Sequence, residues 1–209
     1  MKEPSSEQYT VKNFYNHIAA DYDAMWNTSS ADAENRLIFD LIGCDLWDGE
    51  TILDVGSGTG LMLEYMSIEP SRYLGLDCSE NMVKIARAKH PEYTFRHEDI
   101  RFRDVERLTH PEGFSRYGLA VATFGVLSYV GNLRHALGCI ENLLEDNGRL
   151  FFMVYREGYI PETHTMSGCA VVHNTYSASQ VDAIMAVTWA DFFVLENEDF
   201  IIGVGTERR

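Results

Sequence analysis

The sequence predicts an α/β fold, a mostly parallel sheet with helices on both faces, and three observations carry that reading. Short, nearly continuous apolar runs such as Gly118–Phe124 mark strands buried on both faces. Stretches with apolar positions three and four apart alternate with them, as amphipathic helices do. A glycine-rich turn, Asp54–Gly60, ends the first apolar run and leads into a helix.

In chain order, Val11, Phe14, Tyr15, Ile18, Tyr22, Met25 and Trp26 form one helical stripe. A second helix spans Ala31–Ile42, where Leu37, Ile38, Leu41 and Ile42 share a face. The run beginning at Thr51 is the first strand, with a helix starting near Thr59 beyond its turn. Arg72–Asp77 is the second strand, and Ser79 caps a helix that presents Met82, Val83 and Ala86. Tyr93–His97 alternates as a third strand and Gly118–Phe124 is a fourth. A helix through Leu133–Leu144 ends at Asn147-Gly148 before the strand Arg149–Tyr155. Residues 156–176 have no clear period and read as a long loop or lid. Ser177–Val187 is helical, and two strands meeting around Glu196–Glu198 close the chain as a hairpin. The whole is one domain, residues 1–209, in which 1–45 form an amino-terminal helical cover.

Composition narrows the partners. A formal charge of −15 argues against a phosphate-tracking surface and against anionic membranes, while a neutral or cationic small substrate is tolerated. Cys44, Cys78, Cys139 and Cys169 form no C-x-x-C pair and no set with histidine at metal-ligand spacing, so no metal is expected. They read as reduced thiols, in keeping with a cytoplasmic setting. The first ten residues lack the apolar run of a signal peptide, and no stretch has the ~20 apolar residues of a membrane helix.

Three acids fall near predicted strand ends: Asp54, Asp77 and Asp99. In a doubly wound sheet these ends form the ligand-binding edge. Glycines in the first turn let the backbone approach a ligand without a Cβ in the way. Asp77, about twenty residues beyond the first glycine, can accept both hydroxyls of a ribose, and Asp99 can accept from an exocyclic amine. The dinucleotide fingerprint would need glycine where Leu61 stands, and the P-loop would need a lysine that is absent. The turn also offers no cationic side chain for a pyrophosphate, which favours an adenosine ligand without phosphates.

These segments resemble the class I S-adenosylmethionine-dependent methyltransferases, in particular those acting on small molecules. Ile52–Gly60 looks like their first motif, Gly75–Ser79 like their second-strand motif, and His97–Ile100 like their third-strand motif. Phe14–Asp23 is similar to the amino-terminal segment of many small-molecule members. The resemblance implies a Rossmann-like seven-stranded sheet whose last strand runs antiparallel, with S-adenosylmethionine as cofactor. It implies that Asp54 braces the turn, that Gly56, Ser57, Gly58 and Gly60 leave room for the methionine moiety, and that Asp77 holds the ribose. Cys78 and Met82 would flank the adenine, Asp99 would accept from its amino group, and Ile100 would pack on the ring. Phe124 would lie near the sulfonium, and Tyr22 would contact the cofactor.

Methyl transfer needs alignment and exclusion of water more than a fixed catalytic side chain, so no catalytic residue is assigned. Candidate substrate contacts are Tyr15 on the first helix and Tyr155, Arg156 and His164 in the later segment. Trp26 is equally well explained by apolar packing, His173 by a solvated loop position, and His97 by a structural role. There is no Asn/Asp-Pro-Pro-Tyr motif and no Pro-Cys dipeptide, which disfavours methylation of DNA bases. Thr123-Phe124-Gly125 after the fourth strand supplies no acid for a magnesium site. The expected activity is methylation of N or O on a small molecule. The alternative is a non-catalytic S-adenosylmethionine-binding accessory or regulatory module, which the same acids would serve.

Overall fold

The computed structural model describes residues 10–43, 49–101, 108–161 and 171–208. Seven strands form one sheet: β1 (Ile52–Val55), β2 (Tyr73–Asp77), β3 (Thr94–His97), β4 (Tyr117–Ala122), β5 (Leu144–Tyr155), β6 (Trp189–Glu196) and β7 (Phe200–Arg208). Their order is β3-β2-β1-β4-β5-β7-β6. Strands β1 to β5 pair in parallel, and β7 runs antiparallel to both of its neighbours. The closing hairpin is therefore inserted so that its second strand, not its first, meets β5. Every residue of β1 and β4 is buried, as expected where helices cover both faces of a parallel sheet.

On one face lie α1 (Val11–Ile18), α3 (Ser29–Gly43) and α5 (Glu80–Lys89), whose Phe14, Ile18, Phe39 and Val83 pack with Tyr73, Phe95, Val121 and Phe151 of the sheet. On the other, α6 (Leu133–Glu141) and α7 (Ala178–Thr188) pack Leu137, Ile140, Val181 and Met185 against Leu53, Leu74 and Phe152. Two short helices, α2 (Tyr22–Met25) and α4 (Met62–Tyr65), sit beside the carboxyl end of β1.

Three boundaries differ from the sequence reading. The expected single amino-terminal helix is two helices, interrupted at Ala19–Asp21. The break brings Asp23 to Thr59, whose hydroxyl donates to it at 2.5 Å, and to the Lys89 ammonium at 2.9 Å. Those bonds outweigh continuity of one apolar stripe. The sixth helix stops at Glu141 rather than at Asn147-Gly148, because Leu144 is needed by the sheet, where it pairs with Tyr117. Asn147-Gly148 then falls inside β5, at the irregularity between the Tyr117 and Leu119 pairings. The anticipated helix near Thr59 begins at Met62 and has four residues.

The loop expected over 156–176 is anchored at both described ends. Glu157 N–H donates to the Tyr176 carbonyl, and Asn174 donates through backbone and side chain to the Ser128 and Val130 carbonyls, each at 2.7 Å.

Candidate functional site

The site is built on the turn that follows β1. The N–H groups of Gly56 and Ser57 both donate to the Leu76 carbonyl, at 2.7 and 2.9 Å, which fastens the turn to β2. Gly56 has φ +76, and a Cβ there would collide with Val126, so this position requires glycine. Asp77 completes the fastening. One of its carboxylate oxygens accepts from Gly58 N–H at 2.9 Å and the other from Ser79 N–H at 2.7 Å. A carboxylate offers about four lone-pair positions, so each oxygen keeps one for a ligand.

Electrostatically this edge is costly. Burial pushes the Asp77 carboxyl up to about 6, against the pull of its two backbone donors. Burial also raises Asp54 to about 7, with the Asp77 charge adding to the effect and the Tyr73 hydroxyl, donating at 2.6 Å, opposing it. The Cys78 thiol is pushed up to about 12 by burial and by the nearby Asp77 and Asp99 charges, which leaves it unreactive. Burial alone would raise Asp99 too, but the forked contact from the Arg101 guanidinium outweighs it and holds the carboxyl below its ordinary value.

A single cavity runs along this edge and is lined by Tyr22, Asp54, Gly56, Ser57, Gly58, Asp77, Cys78, Met82, Asp99, Ile100 and Phe124, all anticipated as cofactor contacts. Residues 53–150 match the methyltransferase domain family. The chain is 25% identical over 126 residues to the ubiquinone biosynthesis O-methyltransferase of Coxiella burnetii, covering 60% of this chain and 52% of that one. It is 28% identical over 150 residues to an uncharacterized protein of Methanocaldococcus jannaschii, covering 71% and 53%. The chain thus spans about half the length of these curated relatives. Its fold is shared with the N-methyltransferase NodS of Bradyrhizobium japonicum WM9, solved with S-adenosyl-L-homocysteine, at TM-score 0.66, 15% identity and 95% and 99% coverage.

Residues 53–150 carry a methyltransferase domain. The cofactor of that domain is S-adenosylmethionine, and the cavity fits that molecule chemically. The turn leaves open space beside Gly58, Asp77 has unused lone pairs, and the buried Ser57 hydroxyl has no hydrogen-bond partner among the described residues. The Phe124 backbone adopts φ +52, a conformation that costs a non-glycine residue energy and that concentrates at functional sites. Among the described residues no group of histidine, cysteine, aspartate and glutamate could hold a metal ion, and no helix is long and apolar enough to cross a membrane.

The remaining candidates divide. Tyr15 lines the cavity. Gly60 does not; it faces the His90 and Phe95 rings, so its lack of a Cβ serves packing rather than ligand access. Tyr155 stands behind the cavity wall, with its hydroxyl 3.3 Å from that of Tyr129. Arg156 is exposed and takes part in backbone pairing with Tyr176 and Asp199, away from the cavity. His164 lies outside the described residues. His173 is not solvated as expected: its ring packs against Tyr155 and Tyr129, with centroids 5.6 and 6.2 Å away. Trp26 meets Tyr22 edge-on at 6.3 Å, and His97 bonds the Cys78 carbonyl at 3.0 Å.

Sequence reasoning missed Tyr129, Arg101 and Asn16. Tyr129 lines the cavity from a 3-10 turn, Val126–Tyr129, that follows left-handed Gly125. The Asn16 side-chain oxygen accepts from the Ser79 hydroxyl at 2.8 Å and the Asn81 N–H at 3.0 Å, which docks α1 on the cofactor edge. Asn16 lies within the amino-terminal segment of the resemblance, which was the available signal.

Proposed function

We propose that this chain transfers a methyl group from S-adenosylmethionine to a nitrogen or oxygen of a small molecule. The observation that carries this reading is the make-up of the cavity: Asp77, Asp99 and Phe124 line it together with the phenols of Tyr15, Tyr22 and Tyr129. Tyr15 and Tyr22 reach the cavity from α1 and α2. The −15 charge also disfavours a nucleic-acid acceptor.

In this reading Asp77 holds the ribose hydroxyls, Asp99 accepts from the adenine amine, Ile100 and Met82 flank the ring, and Ser57 and Gly58 meet the methionine portion. The cofactor supplies an electrophilic methyl group on a positively charged sulfur. The chain's own residues align the acceptor and keep water out, work that can supply much of a rate enhancement without a fixed base. The phenols at the acceptor end are poor bases: burial raises Tyr15 and Tyr22 above the ordinary tyrosine value, and neighbouring phenols add to it. NodS is an N-methyltransferase and the Coxiella relative is named an O-methyltransferase, which supports either atom as acceptor.

The test is calorimetry with S-adenosylhomocysteine, followed by turnover with methyl-labelled cofactor across amines, alcohols and phenols. Binding with label transfer to at least one small acceptor is expected. Tight binding with no transfer across the panel would replace this reading with that of a non-catalytic module.

A further inference from the structure

Part of the cavity wall is built of phenols. Tyr15 meets Tyr22 and Tyr129 edge to face, with ring centroids 6.2 and 5.7 Å apart, and Tyr129 meets Tyr155 the same way at 5.8 Å. The hydroxyls converge as well as the rings. The Tyr129 and Tyr155 hydroxyls are 3.3 Å apart, and Tyr15 packs against Tyr129. Every hydroxyl brings one proton and two lone pairs, so however these phenols bond among themselves the cluster keeps more acceptors than donors. Burial raises the phenols of Tyr15, Tyr22 and Tyr155, which keeps them neutral and unable to present their own charge.

The surrounding charge has one sign. Asp54, Asp77, Glu98 and Asp99 line the cavity, and Arg101, the cation that the described residues place on its wall, is committed to Asp99 at the adenine end. The net charge of −15 extends the same field outside. Surplus lone pairs, aromatic faces and negative potential together favour a ligand that is cationic and rich in N–H donors. A neutral alcohol gains only part of this, and an acidic acceptor is repelled.

We propose that the methyl acceptor is an aliphatic amine, recognised as its ammonium ion by the box of Tyr15, Tyr22 and Tyr129 with Tyr155 behind it. The proposal rests on the methyl-transfer reading above, which places the acceptor in this cavity. The ammonium releases one proton to solvent. The freed nitrogen lone pair then forms the N–C bond while the methyl carbon's bond to sulfur breaks, its electrons remaining on sulfur. Positive charge thus moves from sulfur to nitrogen, toward the lone pairs and ring faces, which are oriented before the step begins.

Calorimetry of the full chain with phenethylammonium and with phenethyl alcohol, each with and without S-adenosylhomocysteine, tests the proposal. The ammonium should bind about tenfold or more tightly than the alcohol. Tyr129→Phe and Tyr15→Phe, each retaining the ring, should both narrow that ratio while leaving the S-adenosylhomocysteine affinity within about twofold. Melting temperatures show that each variant is folded, and either variant suffices if the other is not. Equal or tighter binding of the alcohol, or a ratio unmoved by both substitutions, overturns the amine assignment. Failure of S-adenosylhomocysteine to bind is read separately and strikes the methyl-transfer reading instead.

Discussion

The two ends of the sheet are made of opposite materials. At the β1–β2 edge, two carboxyl groups are buried, Phe124 holds a left-handed backbone, and the buried Ser57 hydroxyl has no partner among the described residues. At the β5–β7–β6 end, aromatic rings fill the places where side chains are missing: Phe152 lies over Gly203 and Trp189 over Gly205. Trp189 is fully buried (0%), and its indole N–H is satisfied by Glu141 at 2.8 Å. The contrast teaches that this fold keeps its stability and its chemistry in different places. Preorganised acids and strain belong to the ligand edge, and close packing elsewhere offsets their cost.

The largest expected effect on stability lies in the hairpin half. Trp189→Ala should cost about 3–5 kcal/mol in chemical denaturation, because it empties a site between α6, α7 and the sheet. In whatever fraction remains folded, S-adenosylhomocysteine should bind with about wild-type affinity. A collapse of that affinity in folded protein would join the two regions that the comparison separates.

Asp54→Asn should do the reverse and stabilise the protein. The folded carboxyl sits at about 7, above the ordinary ~3.9 of an unfolded chain. Its contribution to stability is thus complete below about pH 4 and is lost as pH rises through about 7. Asparagine imitates the neutral acid and can still accept from Tyr73, so its gain should appear at pH 8 and vanish near pH 4. Melting curves at the two pH values check this, with a gain on the order of a few kcal/mol at pH 8.

Asp77 gives a third, smaller effect. Its folded pKa of about 6 implies that ligand affinity is full above that value and falls as pH drops through it, by up to about tenfold per unit. Calorimetry with S-adenosylhomocysteine from pH 8 to pH 5 reads it; a flat profile would remove the charge from the ribose contact. Smallest of all, Tyr22→Phe should lower turnover by a few-fold, about 1 kcal/mol, with a melting temperature close to wild type. Equal rates would return Tyr22 to packing alone.

Much of the ligand edge was legible because its signals are local. Glycines that need positive φ, an apolar run ending in Asp54, and acids at successive strand ends each show within a few residues. Less legible were features set by distant partners. The break at Ala19–Asp21 is tied to Asp23 reaching Thr59, 36 residues away, and the docking of α1 to Asn16 reaching Ser79, 63 residues away. Leu143 and Leu144 continue a helical period, yet Leu144 is claimed by pairing with Tyr117. Gly60 and Gly58 look alike in sequence, and only their surroundings, the His90 ring in one case and open space in the other, tell a packing glycine from an open one. Tyr129 sat unnoticed in an apolar run because its role depends on the left-handed Gly125 that turns the chain.

The central claim is that Asp77 joins the glycine turn to the ribose of the cofactor, and titration calorimetry of Asp77→Ala with S-adenosylhomocysteine tests it most directly. Losing two charge-assisted hydrogen bonds should weaken binding by about 3 kcal/mol or more, roughly a hundredfold in Kd, in a protein that still melts cooperatively. An affinity unchanged from wild type in folded Asp77→Ala would contradict it.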